Sequence, residues 1–124
     1  MTDQFTIEFD ADGVQLTEKL YPIFKLWAWL QGKSGTRITY LTWREIERVF
    51  VYKQDHLTVD KICLAFVSES GNVLEINEQM RGWLYQIEDL ADYLPGCKPF
   101  HEWFMDVAFP AFETNMTEIF KRQN

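Results

Sequence analysis

Chemistry needs a nucleophile, a base or a set of metal ligands, and this chain offers few candidates for any of them. It has two histidines, His56 and His101, and two cysteines, Cys63 and Cys97. Cys97 and His101 lie close in sequence with Glu102 beside them, and a Cys–His pair can make a thiolate nucleophile when the imidazole takes the thiol proton. No third group that would orient the histidine is indicated, and a histidine at the start of a helix is commonly just solvated. Neither histidine stands at a metal-ligand spacing from the other, and Cys63 is too remote from Cys97 to supply the close-set ligand pairs of a structural zinc site. The residues therefore assign no catalytic group, no cofactor site and no metal ligand. A small enzyme using Cys97 and His101 is the alternative to a non-enzymatic reading.

Two further motifs fail on spacing. Gly32-Lys33-Ser34 has the form of the end of a phosphate-binding loop, but the earlier glycine of that motif falls on Trp27. Asp10-Ala11-Asp12-Gly13 has the form of the start of a calcium loop, yet Leu16, Tyr21 and Pro22 follow where oxygen donors are wanted. The same residues suit a tight hairpin, with Asp12-Gly13 supplying positive φ angles. The polar cluster with the most defined setting is Lys53, Asp55, His56 and Asp60, around a short polar link between two strands. There Asp55 and Asp60 are expected to accept backbone N–H bonds and Lys53 to pair with one of them. The functional reading of the same cluster is a recognition loop for a partner.

Charge narrows the class of partner. With 12 Lys and Arg against 19 Asp and Glu, the formal net charge is −7. From Cys63 onward ten acids face four bases, so that half carries −6 of the total. A field of this sign repels phosphate backbones and anionic lipid, which disfavours nucleic acid and membrane and favours a basic protein partner. No apolar run approaches the length of a membrane span, and the segment MTDQFTIEFD lacks the basic and apolar regions of a secretory signal. The expected location is the cytoplasm, where both cysteines would be free thiols.

The elements that must hold these residues follow from periodicity. Phe5, Ile7 and Phe9 alternate with polar residues and predict a half-buried strand returning through Val14 and Leu16. Residues 21 to 31 read as a helix opened by Pro22, or as an aromatic strand leading to Arg37–Leu41; residues 23 to 30 offer a surface for a homo-oligomer. Thr42-Trp43-Arg44-Glu45 reads as a capping box across one helical turn, leading into a strand over Arg48–Lys53. Lys61–Ser68 is apolar on both faces and should be a central strand. Val73–Ile76 pairs back. The organising stretch is Asn77 to Gly96: Met80, Trp83, Leu84, Ile87, Leu90, Ala91 and Leu94 share one side of a helix capped by Asn77 and stopped by Pro95-Gly96, with Glu88, Asp89 and Asp92 on the outer side. Pro99 opens a second helix, and Asn115–Phe120 reads as a last short helical turn.

The run Ile38 to Leu94 resembles the second half of a pleckstrin-homology-like module, through Trp43, Glu45, Ile46 and Val49, antiparallel strands and a closing amphipathic helix. It is similar, more closely, to small uncharacterised bacterial proteins with the pattern Tyr52, Lys53, Asp55 and Asp60, Ile62, Cys63, Leu64. The resemblance implies a fold and not an activity. Pleckstrin-like modules that hold inositol phosphates use Lys and Arg in the first hairpin, where Glu8, Asp10 and Asp12 stand here.

The expectation is a single α+β domain over residues 1–124, a bent antiparallel sheet closed by the Asn77–Leu94 helix, with further short C-terminal helices. Its expected function is protein interaction, as an acidic bacterial immunity or adaptor protein binding a basic partner through Lys53, Asp55, His56, Asp60, Glu88, Asp89 and Asp92. Association that is insensitive to salt and runs through Trp27 and Trp29 would count against it.

Overall fold

The computed structural model describes residues 2–19, 35–56, 59–108 and 116–123. Residues 20–34, including the 21–31 segment and its proposed oligomer surface, lie outside them. The described residues form an α+β fold with two four-stranded, mostly antiparallel sheets and little helix.

The first sheet has the order β3 (Thr36–Thr42), β2 (Gly13–Lys19), β1 (Thr2–Phe9), β7 (Met80–Arg81). Strand β1 (Thr2–Phe9) buries Ile7 and Phe9, half-buries Phe5 and exposes Glu8, as its alternation predicts. Its antiparallel partner β2 (Gly13–Lys19) sets Val14 across from Phe9 and Leu16 across from Ile7. Strand β3 (Thr36–Thr42) then pairs with β2, burying Leu41 alone. The hairpin turn is built differently from the expectation. Asp10 Oδ1 accepts the N–H groups of Asp12 and Gly13, each at 2.8 Å, and these bonds hold its carboxyl below the usual range. Gly13 is not at positive φ, the described glycines there being Gly71, Gly82 and Gly96. A side chain is excluded instead because a Cβ at residue 13 would fall 2.2 Å from the Leu41 carbonyl oxygen on β3.

Thr42 and Glu45 do bond reciprocally: Glu45 Oε1 accepts the Thr42 N–H at 2.7 Å and Thr42 Oγ1 accepts the Glu45 N–H at 3.2 Å. They close a turn over residues 43–45 between two strands, because Ile46 enters β4 (Ile46–His56) at once and leaves no helix to cap. The second sheet has the order β6 (Val73–Asn77), β5 (Val59–Ser68), β4, β8 (Met116–Lys121). Strand β5 (Val59–Ser68) is central, and Ile62, Leu64 and Phe66 on one face and Cys63 on the other are all buried. Strand β6 (Val73–Asn77) is an edge.

Several expectations about the second half are corrected. Asn77 ends β6 and caps no helix; its Oδ1 accepts the Gln79 N–H at 2.9 Å in a local turn. The short strand β7 (Met80–Arg81) runs parallel to β1, and Gly82 at φ 98° starts the helical run only at Trp83. That run is α1 (Trp83–Gln86), a 3₁₀ turn (Ile87–Asp89) and α2 (Leu90–Tyr93), not one continuous helix. Trp83, Ile87, Leu90 and Leu94 are buried in the same core cluster as both sheets, whereas Leu84 is 67 % exposed. The stripe advances by four, three and four residues from Trp83, and Leu84 lies about 100° off it.

After α3 (Phe100–Ala108), which buries Trp103 and Val107, the expected helical turn at the C-terminus is instead β8 (Met116–Lys121), antiparallel to β4. Val49 faces Phe120 while Phe50 faces Glu118, so Ile119 is an extra residue in β8. Such a bulge lets the adjacent Ile119 and Phe120 both be buried. Adjacent apolar residues read as helix in sequence for that reason.

Trp43 joins these parts. Its ring stacks on Tyr93 at 5.5 Å and meets Phe9 and Phe66 edge-on, and its Nε1 donates to the Asp10 carbonyl at 2.7 Å. Aromatic pairs contribute about 0.5–1.5 kcal/mol each beyond the area they bury.

Candidate functional site

The outer side of the helical run is set by what its inner side must do. Gln86 turns inward at the end of α1: its Nε2 donates to the Ile7 carbonyl at 2.6 Å, and its Oε1 accepts the Phe9 N–H. The side chain thus bonds two backbone groups on β1. A Cβ at Gly82 would lie 2.3 Å from the Ile7 oxygen, so glycine is required for this approach as well as for its left-handed φ. With Trp83, Gln86, Ile87 and Leu90 committed inward, Glu88, Asp89 and Asp92 are left exposed together, as expected. They have no ion-pair partner among the described residues. Leu84 at 67 % and Tyr85 at 84 % exposure lie on the same run.

These two residues were not among the expected contacts. Spacing places Leu84 in the core, and only the inward turn of Trp83 and Gln86 shows which way it faces. An exposed leucine and tyrosine among three carboxylates form an amphipathic acidic surface, suited to a segment carrying both positive charge and apolar side chains.

The other expected group does not form a polar link. Strands β4 and β5 remain paired beyond Lys53, with Asp55 across from Asp60 and His56 across from Val59. Only residues 57 and 58 lie between them. The side chains of Asp55, His56 and Asp60, and with them the expected Lys53 pairing, lie outside the described residues. Lys53 itself is 1 % exposed, on the inward side of β4 with Val49 and Val51. A partner at the surface does not reach a side chain so placed. Its expected role in binding is therefore corrected to a buried one.

The thiols differ from an activated nucleophile. Burial pushes Cys97 up to about 12, and its Sγ donates to the neighbouring Lys98 carbonyl, while His101 is exposed. Cys63 is pushed up to about 11, first by burial and then by the Glu75 carboxylate. Tyr52 is also raised, by burial and then by its hydrogen bond to Glu75. A reactive thiol needs a positive, partly exposed setting, and neither cysteine has one. Among the described residues no group of three His, Cys, Asp or Glu side chains is placed to hold a metal ion, and no helix is long and apolar enough to cross a membrane. No protein-family model, no curated protein and no solved structure matches the chain.

Proposed function

We propose that this protein is a non-enzymatic interaction domain that recognises a basic protein partner through the outer side of its helical run, as a cytoplasmic bacterial immunity or adaptor protein. The observation that carries the reading is the exposure of Glu88, Asp89 and Asp92 together, beside Leu84 and Tyr85, on a segment whose opposite side is anchored in the core. Like charges held together repel one another, and a cationic partner relieves that repulsion while Leu84 and Tyr85 supply apolar contact. The raised and buried Cys97 favours this reading over an enzyme using Cys97 and His101.

The finer fold assignment belongs to the same proposal. A pleckstrin-like arrangement is supported by the succession of three antiparallel strands, a second antiparallel set and the helical run whose Trp83, Ile87, Leu90 and Leu94 reach the shared core. In this reading the run closes the strands and presents its acids outward.

The test is affinity capture from bacterial extract with the wild-type protein and with Glu88→Lys/Asp89→Lys/Asp92→Lys as baits. A basic protein should be retained by the wild type alone and released by salt of about 0.5 M, where screening shortens to a few Å. Retention that ignores both salt and the charge reversal would remove the proposal.

A further inference from the structure

Just beyond the helical run the surface changes sign. Three hollows of about 250, 320 and 230 Å³ adjoin one another, the first two sharing Pro95 and Arg122, the last two sharing Gly96 and Lys121. Together they form a groove between the Leu94–Lys98 turn and the chain from Glu118 to Gln123. Its walls include Arg44, Lys98, Lys121 and Arg122, four of the chain's 12 cations, against one of its 19 acids, Glu118. That one acid is already taken, since Arg48 donates to the Glu118 carboxylate.

The cations are of two kinds. Arg122 is structural on one side: its Nε donates to the Ile46 carbonyl at 3.0 Å and an Nη to the Trp43 carbonyl at 2.7 Å, which fixes a guanidinium at the groove wall. Arg44, Lys98 and Lys121 are exposed, and none has an ion-pair partner among the described residues. The lining between them is part polar and part apolar, with Leu94, Ile119 and Phe120 largely buried beneath it and the Trp43–Tyr93 stack at one end. In a chain of net charge −7, surplus carboxylates are abundant, yet among the described residues none forms an ion pair with these three cations.

We infer that this groove binds an extended acidic peptide segment of another protein. The hollows adjoin through shared lining residues, which suits a chain of residues better than a single compact anion. Cations spaced along the walls meet successive carboxylates, and the apolar parts of the mixed lining contact the side chains between them. The site is separate from the acidic surface proposed above and depends on different residues.

Fluorescence anisotropy of a labelled Glu-rich octapeptide with one central tyrosine tests the inference on the full chain. Saturable binding is expected, at least about tenfold weaker in Lys98→Glu/Lys121→Glu and again in Arg44→Glu, and weakened by salt as screening requires. These side chains are exposed, so the folded signal in circular dichroism should persist; Glu88→Lys/Asp89→Lys/Asp92→Lys should bind the octapeptide no more weakly than the wild type. Absence of saturable binding, binding that survives the charge reversals, or displacement of the octapeptide by an equal concentration of inorganic polyphosphate each overturns it.

Discussion

The helical run Trp83–Tyr93 and the groove that begins at Leu94 are neighbours of opposite charge, and they acquire that charge in different ways. The acids of the run are close together in sequence and lie on one short helical run, so their grouping follows from local spacing once Gln86 and the buried stripe fix its inner side. The cations of the groove come from residues 44, 98, 121 and 122 and meet only because β8 pairs with β4 and Trp43 stacks on Tyr93. Net charge describes the first surface well and hides the second. A strongly acidic chain can carry a locally basic site wherever folding brings scattered cations to one hollow.

The contrast depends on the run being held in place by its inner side, and the largest test strikes there. Leu90→Ala should cost about 2–5 kcal/mol in chemical denaturation, enough to threaten a marginal domain, because Leu90 is 1 % exposed and its truncation leaves a cavity. A near-neutral result would detach the run from the core and leave its acidic side without a fixed geometry. Gln86→Ala should cost about 1–3 kcal/mol, since it leaves the Ile7 carbonyl and Phe9 N–H without their partner. Any cost below a few tenths would mean that water replaces the side chain freely.

The turn between the two surfaces can be sharpened through Cys97. With the folded thiol raised from 9.0 to about 12, the folded state keeps a proton that the unfolded state loses above pH 9. Its stabilising contribution is therefore complete below pH 9 and declines as pH rises from about 9 to 12. Thiol titration should accordingly find Cys97 unreactive in the folded protein near neutral pH and reactive in denaturant; rapid labelling of the folded form would contradict its burial. The smallest expected effect is on the outer side, where Glu88→Lys/Asp89→Lys/Asp92→Lys should change stability by no more than about 0.5 kcal/mol while abolishing retention of a basic partner. A large destabilisation would show that these carboxylates serve the fold.

Much of the strand pattern was legible in the chain because alternation of the Phe5, Ile7, Phe9 kind and the two-faced apolar run Lys61–Ser68 depend on local spacing. The turn residues were legible as turns, though for partly different reasons: Gly13 answers the approach of β3, and Thr42 with Glu45 joins strands. The C-terminal strand was not legible, because the bulge at Ile119 places two adjacent residues inward and mimics helical spacing. Nor was the true start of the helical run, since the pairing of Met80–Arg81 with β1 is a contact between distant parts of the chain. At the candidate surface Glu88, Asp89 and Asp92 were read correctly as outward. Leu84 was not, because the phase of a short, broken helix is set by Gln86 reaching β1.

The most direct measurement is amide hydrogen exchange of the protein alone and saturated with the basic protein captured from extract. Binding through the outer side of the helical run predicts added protection concentrated in residues 83–93, reduced when salt is raised. Protection absent from that run and confined to other parts of the chain would contradict the account.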